Sequence, residues 1–517
     1  MKSVSKLTHF FFCFIALSLP FLASCSDSKE NEPDVQFSVP GEILLDGLKY
    51  EATGGENTFN VTSTEAITVT SSESIWCTVT KGTQANNVTP VTVKVTENTA
   101  ATPRSAKITI YAGSQAKTVA VSQAAKEATP EPTPGPVEGK TAMEISKAMG
   151  AGWNLGNHFD GTMANQPGKY WDNATPTQAL YDKIKEYGFK TVRIPVTWMH
   201  NMGSAPEYKI NDDYMAVVRA NVEMAEKAGL YVIINIHHDG ANGANWLKIK
   251  EASKDEKVNA AVKENIKAVW GQIADCFADK GQFLIFESFN EIQDGGWGWG
   301  DNRKDGGKQY RTLNDWNQTF VDVIRAKGGN NASRVLGIPS YSTSPDLALE
   351  DSFVLPNDPS ANRLMVSVHY YAPTDYTLEA KFTEWGHTGT AGKKETWGDE
   401  DAVRDVFGKL KTKFVDANIP VYIGETGNVN RNDARADSFR RYYLEYVFKA
   451  AKEYGMTAIL WDNNAANYGR ECHGTFDHND GKFVNEYAEG VVTTIANAVN
   501  NEDASYTLQS VYNNAPK

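Results

Sequence analysis

Eight apolar runs recur from about residue 140 onward: GAGWNLGN, TVRIPVTW, YVIINIHH, FLIFESFNE, RVLGIPS, LMVSVHYY, PVYIGETG and AILWDNN. They are apolar almost throughout rather than alternating, which is the pattern of strands buried on both faces in a parallel sheet. Helical periodicity lies between most of them, as at residues 212–228 and 256–277. Eight strands in β/α alternation, in a chain of 517 residues, fit a (β/α)8 barrel. A doubly wound open sheet is the alternative, but no Gly-rich phosphate fingerprint follows the first strand.

In a barrel of this kind the chemistry sits where strands end, and each run closes on polar or aromatic residues. In order these are Asn157, Arg193, His237 and His238, Asn290 and Glu291, Ser340, His369 with Tyr371, Glu425, and Trp461. Glu291 and Glu425 close the fourth and seventh strands. Two carboxyl groups about 5 Å apart perform retaining glycoside hydrolysis, one protonating the leaving oxygen and the other attacking the anomeric carbon. Glu287 precedes Glu291 by four strand residues, roughly 13 Å deeper, and reads as a structural carboxylate. His237 and His238 could suggest a metal, but adjacent strand residues point to opposite faces, so a shared metal is not expected; no cofactor is expected either. The formal charge of −13 argues against binding a phosphate backbone.

The motifs VRIPVTW, INIHHD, FESFNE, VHYYAP, YIGETG and LWDN, in that order and spacing, resemble glycoside hydrolase family 5. GWNLGN together with HHD is similar to that family's subfamily 4. The resemblance implies that Glu291 is the acid/base and Glu425 the nucleophile. It implies that Asn290 binds the sugar 2-hydroxyl, that Tyr371 donates to Glu425, and that His369 and His237 shape the central subsite over a Trp461 floor. Asn157, Arg193 and His238 join them as substrate-binding candidates. Arg193 is expected near Glu425, keeping it ionised, with pairing to Glu287 as the other possibility. A cis peptide at Trp461–Asp462 is also implied. The chain departs from the family pattern at Gly424-Glu425-Thr426-Gly427 and at His158-Phe159-Asp160. Trp297 and Trp299, in a glycine-rich loop, are candidate sugar platforms, and Trp385 and Trp397 lie in the long segment 372–398. Cys472 and His473 read as an inert loop pair rather than part of the rim. The expected activity is that of a retaining endo-β-1,4-glucanase on xyloglucan, cellulose or mixed-linkage glucan. An endo-β-mannanase, or a non-catalytic surface glycan-binding protein, is the alternative.

The remaining chain reads as a delivery system. Residues 1–24 carry Lys2 and Lys6, then an apolar stretch too short for a good membrane span, then Leu22-Ala23-Ser24-Cys25. That tetrad resembles a bacterial lipobox, implying cleavage before Cys25, lipidation of its thiol and an outer-membrane or cell-surface location. Residues 25–34 form a polar tether. Residues 35–124 hold short alternating strands such as TFNVTS, VTVKVTEN and AKITIYAG, which predict an antiparallel β-sandwich. Trp76, the turn at residues 97–99, Arg104 and VSQ at 121–123 resemble the BACON module, immunoglobulin-like and found before glycan-degrading enzymes. A spacer is expected here rather than a glycan binder, with Trp76 in the core. A Pro-rich linker spans 125–139 and the catalytic domain 140–517. Cys77, Cys276 and Cys472 are too scattered to form a disulfide framework. A tethered enzyme of this plan reads as a monomer.

Overall fold

The computed structural model describes residues 36–100, 102–126, 139–161, 175–243 and 245–517. The expected signal segment, Cys25, the tether and most of the linker lie outside them. The chain divides into two compact units, Met1–Pro132 and Thr133–Lys517.

The first unit is a sandwich of two four-stranded sheets. Its strands are β1 (Phe37–Ser38), β2 (Leu48–Tyr50), β3 (Gly55–Ser63), β4 (Ile67–Ser71), β5 (Cys77–Lys81), β6 (Val88–Val95), β7 (Arg104–Ala112) and β8 (Gln115–Gln123). One sheet has the order β1-β3-β6-β5 and the other β2-β8-β7-β4. All pairings are antiparallel except β2 with β8. Alternate residues Phe59, Val61, Val91, Val93, Ile108, Ile110, Val119 and Val121 face inward and form the core. Trp76 is not in that core but half-buried at its edge, under the Arg104 guanidinium at 4.3 Å. Arg104 in turn donates to Gln123 Oε1 and to the carbonyls of Thr96 and Glu97, while Gln123 Nε2 donates to Glu51, Ala52 and Thr96 carbonyls. The motif residues are thus occupied in fastening one end of the sandwich.

The second unit is a closed barrel of eight parallel strands: β9 (Gly152–Asn154), β10 (Thr191–Ile194), β11 (Tyr231–Asn235), β12 (Leu284–Glu287), β13 (Leu336–Pro339), β14 (Leu364–Tyr370), β15 (Val421–Thr426) and β16 (Thr457–Leu460). All eight coincide with the apolar runs. Each strand pairs with the next, and β9 closes on β16.

The period of two divides each strand between two environments. Val232, Ile234, Leu284, Phe286, Leu336, Ile338, Val366 and Val368 pack outward against the helical layer. Ile233, Ile285, Met365, Tyr422 and Ile459 fill the barrel bore, plugged by Ala142, Ile145 and Met149 of the helix Ala142–Met149. That helix is started by a capping box between Thr141 and Glu144. Above this apolar plug the bore turns polar, with buried Asn154, Arg193, Asn235, Glu287 and Ser367. These polar groups carry the floor of the site.

Candidate active site

At the carboxyl ends of the strands lies a cleft of about 1150 Å³. Asn157, His237, His238, Asn290, Glu291, Trp297, His369, Tyr371, Glu425 and Trp461 all line it. Arg193, expected to touch substrate, does not: it is fully buried beneath the cleft. Both readings of its partner hold at once. Its Nε donates to Glu287 Oε2 at 2.9 Å and its Nη1 to Glu425 Oε1 at 2.8 Å. Its Nη1 also reaches Asn154 Oδ1, and its Nη2 reaches Asn290 Oδ1 at 2.9 Å. Because Arg193 claims the amide oxygen, Asn290 presents its Nδ2 donors to the cleft.

Glu287 is the deep structural carboxylate. It accepts from Tyr422 Oη and Ser367 Oγ, each at 2.7 Å, and from Asn235 Nδ2 at 2.9 Å. Burial alone would raise its pKa, but Arg193, His369 and these hydroxyls outweigh burial and hold it below the usual carboxylate value.

Glu291 follows β12 at a distance because the chain stays extended beyond Glu287. Ser288 N donates to Gly337 O and Asn290 N to Ile236 O, so the backbone is held from both neighbouring strands up to Asn290. Glu425 reaches the mouth through an irregularity in pairing. Val368 opposes Ile423 but His369 opposes Glu425, leaving Gly424 as the extra residue. Such a bulge re-aims the next side chain.

The two carboxylates meet at His369. Its Nδ1 is 2.8 Å from Glu291 Oε1 and 3.7 Å from Glu425 Oε2, and one oxygen of each glutamate and this nitrogen all lie within 4.8 Å of one another. Tyr371 Oη donates to Glu425 Oε2 at 3.2 Å. Arg193 does not suffice to hold Glu425 below its ordinary pKa. Burial pushes this carboxyl up, His369 and Arg193 pull it down, and Glu291 pushes it up again; the net direction is upward.

His237 and His238 do not splay apart. β11 ends at Asn235, so the alternation no longer applies, and a 3-10 turn over His238–Gly243 brings the rings to a centroid distance of 4.4 Å. With Asp160 they place one ligand atom each within 4.8 Å, as do Glu291, His369 and Glu425. Among the described residues these are the groups that could hold a metal ion, and the geometric reason for discounting the histidine pair fails. Their present bonds are otherwise committed. Asp160 accepts the backbone N–H of Asn157 and His158, and burial raises its pKa to about 7. Asn235 Nδ2 donates to His237 Nδ1, which leaves Nε2 to carry the proton, 4.0 Å from Glu425 Oε1. Burial also keeps His237 well below its ordinary pKa, hence neutral.

Trp461 stacks parallel to His237, with centroids 6.2 Å apart and planes 5° apart. Gly156 makes room for it. A Cβ there would lie 2.6 Å from Asp462 O and 2.7 Å from the indole. Gly156→Ala is therefore expected to displace Trp461 and lower kcat/KM by about 10²-fold, the scale of an ångström's misplacement. Michaelis–Menten kinetics beside a thermal melt check it, and an unchanged kcat/KM contradicts it. The expected cis bond at Trp461–Asp462 is absent: the two cis peptides among the described residues are Ala205–Pro206 and Ala372–Pro373. A non-proline cis bond costs about 3–4 kcal/mol, and here Asp462 meets its many donors without one.

Trp297, Trp299 and Trp397 all line the cleft at 56%, 65% and 54% exposure. Trp385, their expected companion, is instead a buried anchor whose Nε1 donates to Gly398 O. Cys472 is half-buried, and His473 packs behind Tyr371, away from the rim. Sequence reasoning missed Ser342, Ser344, Glu379, Arg470 and Glu471, which also line the cleft. They stand in loops with no strand period to place them.

A closed parallel barrel with two adjacent glutamates, a neutral histidine and exposed indoles at its mouth is the architecture of a glycoside hydrolase. Residues 150–467 match the family described as Cellulase (glycosyl hydrolase family 5), and residues 56–124 match BACON, a putative N-terminal binding domain. The chain belongs to glycosyl hydrolase family 5. It is similar to a broad-specificity endoglucanase from Bacteroides salanitronis: 51% identical, covering 70% of this chain and 96% of that one, TM-score 0.67. A Bacteroidetes-affiliated family 5 cellulase linked with a polysaccharide utilization locus is 42% identical, covering 73% of this chain and 98% of that one, TM-score 0.71. A xyloglucan-specific endo-beta-1,4-glucanase of Bacteroides ovatus is 31% identical over 477 residues, 87% of this chain and 90% of that protein.

Proposed function

We propose that the chain is a retaining endo-β-1,4-glucanase acting on plant cell-wall β-glucans, with Glu425 as nucleophile and Glu291 as acid/base. The observation that carries this reading is the spacing of the two carboxylates, whose oxygens approach within 4.8 Å. Such closeness fits the roughly 5–5.5 Å between the carboxyl groups of a retaining pair better than the roughly 6.5–9.5 Å of an inverting one, and suits direct attack by a carboxylate. In the first step Glu425 attacks the anomeric carbon while Glu291 gives its proton to the departing glycosidic oxygen. In the second, Glu291 takes a proton from water, which attacks the same carbon and frees Glu425.

Asn290 Nδ2 is placed to donate to the 2-hydroxyl, and Tyr371 to hold Glu425 on line. Three exposed indoles lining the cleft, Trp297, Trp299 and Trp397, suit stacking on the sugar units of a chain. The glucan preference is supported by relatives named as an endoglucanase, a cellulase and a xyloglucan-specific glucanase. A surface lipoprotein attached through Cys25 fits the leader read from the sequence and the neighbour linked with a utilization locus.

The purified protein should release reducing ends from internal bonds of xyloglucan, carboxymethyl cellulose, barley glucan or glucomannan, compared side by side. Proton NMR of early product should show the β-anomer. Release of monosaccharide alone, or first appearance of the α-anomer, would sink the proposal, and preference for glucomannan would redirect it to mannans.

A further inference from the structure

The loop after β16 is built around one carboxylate. Asp462 is fully buried, and its oxygens accept from Trp153 Nε1 at 2.9 Å, Thr475 N at 2.8 Å, Phe476 N at 3.1 Å, Asn464 N at 2.8 Å and His478 Nε2 at 3.1 Å. Donors from residues 464, 475, 476 and 478 converge on it, so both ends of the loop are tied to one point. Its middle is held by Asn430, which donates to Ala465 O and Asn467 O and whose carbonyl accepts from Gly469 N.

At the tip stands Glu471, in the left-handed region at φ 55°. An L-residue other than Asn or Asp is strained there, and such strain persists only where the surroundings over-determine it. They do so here. Glu471 N donates to Leu378 O at 3.0 Å, and its carbonyl accepts from Asn463 Nδ2 at 2.6 Å. With its backbone fixed from both sides, Glu471 lines the cleft that Glu291 and Glu425 share. The adjacent cation is already engaged, since Arg470 Nε is 3.1 Å from Glu379 Oε2. No side chain among the described residues hydrogen-bonds the Glu471 carboxylate.

We propose that Glu471 is a specificity-determining substrate contact, its carboxylate accepting hydrogen bonds from a pair of hydroxyls on a sugar unit held beside Tyr371 and the loop at Leu378. The inference rests on the glycanase reading above. A carboxylate takes two neighbouring hydroxyls in the way it takes two N–H groups, and ionised acceptors make the stronger hydrogen bonds. An unpaired acceptor carried on a backbone already fixed at the cleft wall has less freedom to lose when substrate arrives. Burial raises the pKa of Glu471, Arg470 opposes this, and Glu379, Glu291 and Glu425 add to the rise. The group therefore sits in the field of Glu379, Glu291 and Glu425, and sugar hydroxyls are ligands such a site can accept without a counter-ion.

The test separates this contact from catalysis by measuring binding in a Glu425→Ala background. Cellohexaose is titrated calorimetrically into Glu425→Ala and into the same protein carrying Glu471→Ala or Glu471→Gly. Loss of hydrogen bonds to a charged acceptor predicts binding weaker by about 10- to 100-fold in both. Glycine relieves the left-handed strain, so Glu471→Gly should melt at or above the parent temperature while losing affinity. A merely structural Glu471 would instead lower the melting temperature in both variants. Affinity within twofold of the parent, or affinity lost only together with melting temperature, overturns the proposal. A Glu425→Ala parent that binds no cellohexaose overturns the β-glucanase reading itself, and one that still hydrolyses glucan overturns the assignment of Glu425 as nucleophile.

Discussion

Glu425→Ala is expected to lose at least about 10⁴-fold in kcat on polysaccharide while keeping its melting temperature or raising it. The size follows from the loss of a covalent nucleophile, whose single removal costs an enzyme nearly as much as removing its whole catalytic constellation. The sign on stability follows from the site. Burial raises the Glu425 pKa above its ordinary value, so the ionised form is destabilised in the folded state. A carboxyl with a raised folded pKa binds its proton more tightly folded than unfolded. Its contribution is therefore favourable at low pH and falls away as pH rises from the unfolded pKa through the folded one. Removing the group should relieve the fold most at neutral pH. The same pKa sets the acid limb of kcat/KM in the intact enzyme, which should lie above the value of a solvent-exposed glutamate. Azide offers a chemical check, because a small anion can occupy the space of the missing carboxylate and attack from the same face, yielding an α-glycosyl azide. Substantial residual turnover of natural glucan, with no azide effect, would mean that another residue attacks.

The barrel was legible because its strands carry two signals at once. Continuous apolarity marks them as doubly covered, and Val232 against Ile233, or Leu284 against Ile285, shows how neighbouring residues serve helix layer and bore in turn. The residues gathered in the cleft were legible for a related reason, since a strand end in a closed parallel barrel has one destination. What failed did so where the strand period stops. His237 and His238 follow the last residue of β11, and a 3-10 turn, not a pleat, sets their directions. Arg193 was placed near the right groups but in the wrong layer, because its side chain points into the bore instead of crossing the mouth. Glu471 and Arg470 belong to a loop whose shape depends on Asp462 and on contacts reaching to residues 378 and 430. No local pattern encodes such contacts.

Arg193 is the residue whose loss should disturb most of the molecule at once. It joins Glu287, Glu425, Asn290 and Asn154 within the bore, and its side chain is wholly buried. Arg193→Met keeps much of the volume but leaves Glu287 ionised, buried and without its cation. Breaking a buried pair from one side costs about 3–5 kcal/mol, and this is the destabilisation expected from denaturant unfolding. Adding Glu287→Gln should return most of it, because the amide needs no cation and can still bond Tyr422 and Ser367. Activity should not return with stability. Asn290 loses the bond that orients its amide, and Glu425 loses the nearest fixed positive charge. Its pKa, already raised, should rise further, moving the acid limb of kcat/KM to higher pH in both the single and the double variant. The stability profile carries the opposite sign for Glu287. Its folded pKa is depressed, so its contribution is present above the unfolded value and is lost as pH falls through the folded one. In the Arg193→Met protein that dependence should vanish or reverse. A double variant as unstable as the single one would show that Arg193 supports the fold through packing and not by compensating Glu287. An acid limb left in place would remove Arg193 from the control of Glu425.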